Sequence, residues 1–326
     1  MVPDTVCQTA SRQSRSQYRC NGVIPYSQKS QEIRLKAACA LSRAHIKSFV
    51  WGEDALAFIH FVPVNLHALH LVVADHDLGL GANKIIESLP YELFTGILGR
   101  DYVESILSDP NQPRTFPNSV HLQLTTRAAE RSVDDPEMIV FHPQSQFFLD
   151  IHDDSRSLSL PPFPENIRFP TRTAFLDSII ATYLDPPSGR VHTRLMSTLR
   201  VWMAYLFTYT LRNTPAVLPT GDLEPERGQV LQSLKPENRP YFEAFARGEL
   251  CKSREHMMLR KEILEKLGKY EEARRPLPVF PPGNPAIMAK IRADRANALA
   301  NQTRPYSVSA LRGAHSTIAR FIRLIR

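Results

Sequence analysis

Cysteine, glycine and long apolar runs are all scarce in this chain. The four cysteines, Cys7, Cys20, Cys39 and Cys251, form no CxxC pair and stand far apart. That spacing offers no zinc-ribbon pattern and no disulfide framework, so a reduced, intracellular compartment is expected. The 13 glycines supply no phosphate-binding loop. Gly79-Leu80-Gly81 lacks the third glycine of a dinucleotide fingerprint and does not directly follow a strand pattern. The most apolar run, residues 201–211, has about half the length a bilayer requires. No secretory h-region opens the sequence. The Ser/Arg-rich stretch 11–19 is poor in acids, as a transit peptide would be, whereas Pro3 and Asp4 speak against one. A cytoplasmic or nuclear location is expected, with mitochondrial import the weaker alternative.

What the chain has in quantity is proline, 26 residues of 326, which predicts many stiff connections. Charge is unevenly spread. Residues 251–326 carry 16 Lys/Arg against 6 Asp/Glu, a net +10, and residues 1–45 carry 7 against 2. The remainder, 46–250, has 17 basic and 25 acidic residues and a net −8. An acidic body with basic ends is self-complementary and also suits an anionic partner, either an acidic protein or a nucleic acid.

Hydrophobic patterning divides the chain into five parts. Residues 1–30 are polar and unperiodic, the signature of a disordered leader. Residues 31–185 mix helical and strand periods and read as an α+β domain. A helix is expected over 31–44 and a short strand over 46–50, followed by a turn at Gly52 and a helix over 53–60. A second strand, 66–74, ends at Asp75-His76-Asp77, which caps the next helix. Two more strands are expected at 120–126 and 138–141. Residues 159–170 are proline-rich and read as a connection. Residues 186–275 predict a helical domain packed on the first, its longest helix over 191–212 striped by Leu195, Leu199, Trp202, Leu206 and Tyr209. A proline-rich linker, 276–285, leads to a basic helical tail, 286–326. There Leu311, Ile318, Ile322 and Ile325 line one side and Arg312, Arg320, Arg323 and Arg326 lie beside them, a candidate basic contact.

The stretch 46–75, IKSFVWGEDALAFIHFVPVNLHALHLVVAD, carries a resemblance. Strand, Gly-containing turn, Ala-Leu helix, strand ending in Leu71-Val72-Val73, helix and a later strand together resemble the polymerase-β-like nucleotidyltransferase superfamily, in its minimal and toxin–antitoxin branches. The likeness spans about residues 46–185. It implies a small mixed sheet of nucleotidyltransferase type flanked by helices, with a mainly α-helical C-terminal half. It also implies a nucleotide cleft over Gly52, lined by Trp51, Gly52, Glu53, Asp54, His70, His121 and Gln123.

In that family two aspartates precede the Leu-Val-Val strand end, and a third acid stands on a neighbouring strand. Laid onto this sequence, those positions fall on Ala68, on His70 and near His121. Two-metal nucleotidyl transfer needs clustered carboxylates as hard oxygen ligands for Mg²⁺, and imidazole suits other metals. Glu53 stands where the family keeps a small phosphate-contacting residue, and its charge opposes a triphosphate. Neither a metal nor a cofactor is therefore expected. The expectation is a pseudoenzyme, a degenerate nucleotidyltransferase-like binding or scaffolding module. Two alternatives stand beside it: an active transferase drawing carboxylates from Glu53, Asp54, Asp75 and Asp77, and binding of an anionic partner through the basic tail.

Overall fold

The computed structural model describes residues 26–94, 116, 118–191, 193–211, 215–249 and 252–280. The chain divides into two units, Met1–Phe280 and Pro281–Arg326. Every described residue belongs to the first. The tail arginines Arg312, Arg320, Arg323 and Arg326, and most of the leader, lie outside the described residues.

The first unit is α+β, with a seven-stranded mixed sheet and ten described α-helices. It opens with α1 (Gln28–Arg34), whose N-terminus is capped by the Ser27 side chain accepting from Ser30 N–H. Leu35 then separates α1 from α2 (Lys36–Arg43), so the single helix expected over 31–44 is two. β1 (Ser48–Trp51) runs into α3 (Gly52–Phe58), β2 (Leu69–Val73) follows, and α4 (Leu78–Ser88) leads to β3 (Tyr91–Leu93). β4 (Val120–Leu124) and β5 (Met138–Pro143) come next, then β6 (Ser157–Ser159) and β7 (Ile167–Pro170). The strand order is β3-β4-β5-β2-β1-β7-β6.

β2 is the centre of this arrangement. It pairs antiparallel with β1 and parallel with β5, and β4 lies antiparallel on the far side of β5. A strand paired on both sides and covered on both faces is mostly apolar, and all five β2 residues, His70 among them, are buried. The register aligns Trp51, His70, Val140 and His121 in one cross-strand row. Side chains in such a row share a face, and the pleat adds Phe49, Val72 and His142 two residues away. The opposite face carries Leu71 and Phe141. It is closed by α2 and α4, where Gly81 sits against Leu41 and Phe141.

The imidazole-bearing face is covered by helices from later in the chain. Trp51 is fully buried and stacks on Phe147 with ring centroids 3.8 Å apart, and on Phe175 of α5 (Arg172–Leu184) at 5.5 Å. Every residue from Ala174 to Leu184 is buried, so α5 is a central helix rather than an amphipathic one. Beyond it run α6 (Thr193–Thr210), α7 (Pro225–Ser233), α8 (Arg239–Ala246), α9 (Ser253–Lys266) and α10 (Tyr270–Arg274). Asp177 of α5 ties these to the sheet side: it accepts from Lys235 N–H, from Asn238 Nδ2 at 2.7 Å and from Arg156. The start of the proline-rich linker is pinned as well, through Val191 N–H donating to Val279 O and Val279 N–H to Gly189 O. None of the helices among the described residues is long and apolar enough to cross a membrane.

Candidate functional site

Gly52 joins β1 to α3 with φ +68°, a left-handed conformation that glycine adopts at little cost. It is also tightly enclosed. A Cβ placed there would lie 3.0 Å from His70 Cδ2 and 3.2 Å from Trp202 Cη2. The ring from α6 therefore rests directly on the turn over which a nucleotide cleft was expected. Trp202 is held in that position by its indole N–H, which donates to Glu53 Oε1 at 3.0 Å. It also meets Trp51 edge-on at 4.8 Å and His70 at 5.8 Å between ring centroids.

Beneath Trp202 a chain of polar groups crosses the sheet. Glu53 Oε2 lies 3.7 Å from His70 Nε2, beyond hydrogen-bond range, and has no hydrogen-bond partner. His70 Nδ1 and His142 Nε2 share a hydrogen bond at 2.9 Å. His142 Nδ1 and Ser119 Oγ share another at 2.6 Å, and Ser119 Oγ lies 3.4 Å from Gln146 Oε1. Phe116 packs edge-on against both rings. His142 and Ser119 were not among the residues predicted from sequence. The strand expected at 138–141 extends to Pro143, and its parallel pairing with β2 puts His142 beside His70. His121 lies one strand further out, beyond β5. The available signal was β2 itself: a strand apolar at four of its five positions needs neighbours on both sides, and β5 was a candidate for one of them.

Burial controls the protonation of these groups. Desolvation pushes the Glu53 carboxyl up to about 7, and neighbouring Asp54 adds to the rise. Desolvation also lowers His70 to about 3, reinforced by the charge His121 would carry if protonated. His142 falls well below the ordinary imidazole value for the same reason. Both rings are neutral at pH 7, so Glu53 and His70 do not form an ion pair. A neutral imidazole donates with one nitrogen and accepts with the other, which allows the chain two orders. In the first, Ser119 O–H donates to His142 Nδ1, His142 Nε2–H donates to His70 Nδ1, and His70 Nε2–H faces Glu53. In the second each of these bonds is reversed, and Ser119 O–H turns to Gln146 Oε1.

The other expected residues diverge. Asp54, next to Glu53 on α3, is fully buried and bound by Arg34 of α1 through Nε at 2.5 Å and Nη2 at 2.9 Å. Gln123 donates to Glu92 at 3.0 Å, out towards the β3 edge of the sheet. His121 is buried. Asp75 is exposed and accepts from Ser145 N–H, and Asp77 lies near His76. These acids do not converge. No group of three His, Cys, Asp or Glu among the described residues is arranged to hold a metal ion. A cleft of about 230 Å³ does occur, between α1–α2 and β3–β4, lined by Ile33, Lys36, Tyr91, Leu124 and Asp135 among others. None of the seven expected cleft residues lines it.

Comparison of the chain with protein-family models, with curated proteins and with solved structures gave no match.

Proposed function

We propose that this protein is a catalytically degenerate nucleotidyltransferase-like module whose role is binding or scaffolding rather than metal-dependent transfer. The support is architectural and chemical. β1, the glycine turn, α3, β2 and α4 follow the order on which the resemblance rests, and β5 supplies the later strand beside β2. The metal-holding positions of the family fall on Ala68, on His70 and near His121, and the strand paired directly with β2 carries His142 beside His70. The last two are buried imidazoles kept neutral by their surroundings. Neither replaces a carboxylate as a ligand for a hard cation. The observation that carries the reading is the closure over Gly52, where an added Cβ would press on His70 at 3.0 Å and on Trp202 at 3.2 Å. A polyphosphate needs the backbone of such a turn exposed.

Incubation of the full-length chain with Mg²⁺ or Mn²⁺ and each of the four ribonucleoside triphosphates tests this. A triphosphate present at a hundredfold over its dissociation constant stabilises the folded state by about 2.7 kcal/mol, a rise of several degrees in melting temperature. No such rise is expected, and no label should pass from α-labelled triphosphate to the chain or to an added acceptor. Label transfer that disappears in Glu53→Gln would replace this reading with that of an active transferase using atypical ligands.

A further inference from the structure

We propose that the cleft between α1–α2 and β3–β4 binds a free α-amino acid with an apolar side chain, its carboxylate on Arg34 and Lys36 and its ammonium on Glu130. The site shares no residue with the expected nucleotide cleft and does not depend on kinship with the transferases.

Size sets the first limit. A volume of about 230 Å³ equals that of about eight waters in the liquid, and lies below the roughly 300–1,000 Å³ of pockets for drug-sized ligands. A nucleotide does not fit, whereas a single amino acid does. Charge sets the second limit. Two cations, Arg34 and Lys36, and two acids, Glu130 and Asp135, line the cleft. A simple anion or cation entering it meets repulsion as well as attraction. A zwitterion satisfies both signs.

The hydrogen bonds already made decide which end goes where. Arg34 is only 4 % exposed at its side chain, and it spends Nε and Nη2 on Asp54 and on His67 O. Its Nη1 has no partner among the described residues, which leaves a donor on a buried cation unused. Lys36 gives one N–H to Asp135 Oδ1 at 3.0 Å and keeps its others for an incoming carboxylate. Residues two apart on an unbroken helix do not share a face. The break at Leu35, between α1 and α2, lets Arg34 and Lys36 line one cleft. Of the acids, Asp135 is engaged by Lys36 and by Ser132 N–H. Glu130 is exposed and its carboxylate has no partner among the described residues, so it is the acceptor open to an ammonium.

The rest of the lining is mostly apolar. Ile33 and Ala37 come from the helical wall, Leu89 and Leu124 from the strand wall. Tyr91 adds only its ring, because its hydroxyl is committed to Pro136 O at 2.7 Å. An aliphatic or aromatic side chain takes this surface out of water.

Isothermal titration of the full-length chain with L-leucine, L-methionine and L-phenylalanine tests the assignment, with L-lysine and L-glutamate as controls. At least one of the three should half-saturate below about 1 mM, the upper end of ordinary substrate affinities. Both controls should bind at least about tenfold more weakly. The amide of the best ligand lacks the carboxylate and its N-acetyl form lacks the ammonium, and each should lose about tenfold or more. Glu130→Gln, at an exposed position, should weaken binding about tenfold with circular dichroism unchanged. Thr126→Trp should abolish binding by filling the cleft. Arg34 is spared because it also secures Asp54. No binding by any of the three, equal affinity for either blocked form, or undiminished binding in either variant overturns the proposal. Should Thr126→Trp impair folding, Glu130→Gln and the blocked ligands decide. Failure here is separate from the triphosphate test, which probes the turn at Gly52.

Discussion

At the scale of single residues, Gly52 carries two requirements that reinforce each other. Its φ is left-handed, and its missing side chain makes room for His70 and Trp202. Gly52→Ala should therefore destabilise by about 2–4 kcal/mol, from backbone strain of about 1–3 kcal/mol together with overpacking of similar size, partly relieved by a shift of the Trp202 ring. Chemical denaturation measures it, and a loss below about 0.5 kcal/mol would mean that neither constraint is real. Trp202→Phe in the same background should restore part of the loss by shrinking the ring above the turn. A restoration identical to that in unsubstituted Gly52 would show that the two side chains are not in contact. The same glycine was visible in the sequence as a turn. What closed over it was not, because Trp202 stands 149 positions from the Glu53 it bonds and a helical stripe marks a residue as buried without naming its partner.

At the scale of elements, α1 is fastened to α3 by one buried pair. Arg34 and Asp54 are 4 % and 0 % exposed at their side chains, and Arg34 also donates to His67 O. Coulombic attraction and the direct bonds from Asp54 hold the guanidinium charged in spite of burial. Removing one partner strands the other, so Asp54→Ala should cost about 3–5 kcal/mol, whereas replacing both with Arg34→Met and Asp54→Leu should recover most of that. If urea denaturation finds the double variant as weak as the single, the pair contributes more than charge neutralisation. Sequence patterning located these elements unevenly. The core helices were legible because apolar residues recur at helical spacing, and Thr171 caps α5 by accepting from Ala174 N–H. β6 and β7 were read as a connection because three- and four-residue strands beside prolines show no period. Only pairing identifies them: β7 lies parallel to β1 and extends the sheet on that side. His142 was missed for a related reason. Alternation assigns a residue to a face of its own strand, but the order of strands, which decides the neighbours of that face, is a property of the whole sheet.

At the scale of the whole molecule, the buried imidazoles and Glu53, an acid whose carboxyl desolvation pushes up, make opposite contributions to stability. His60 and His70 are lowered to about 3 and His142 well below its ordinary value, all chiefly by desolvation. A depressed group stabilises the fold above its unfolded pKa, about 6.5, and that contribution is lost as pH falls towards the folded value. Glu53 is raised from 4.5 to about 7, so its contribution is complete below 4.5 and lost as pH rises through 7. Near pH 5.5 the unfolded chain thus takes up about three protons at these histidines, while the folded chain holds about one more at Glu53. The net of about two protons corresponds to about 2.7 kcal/mol of stability lost per unit of acidification. A domain stable by 5–15 kcal/mol tolerates only a few such units. Circular dichroism should accordingly show cooperative unfolding before about pH 3.5, and Glu53→Gln should unfold at higher pH than the unsubstituted chain when both are matched in stability at pH 8. A fold that persisted unchanged below pH 3 would show that these histidines accept protons in place, against the desolvation that lowers them.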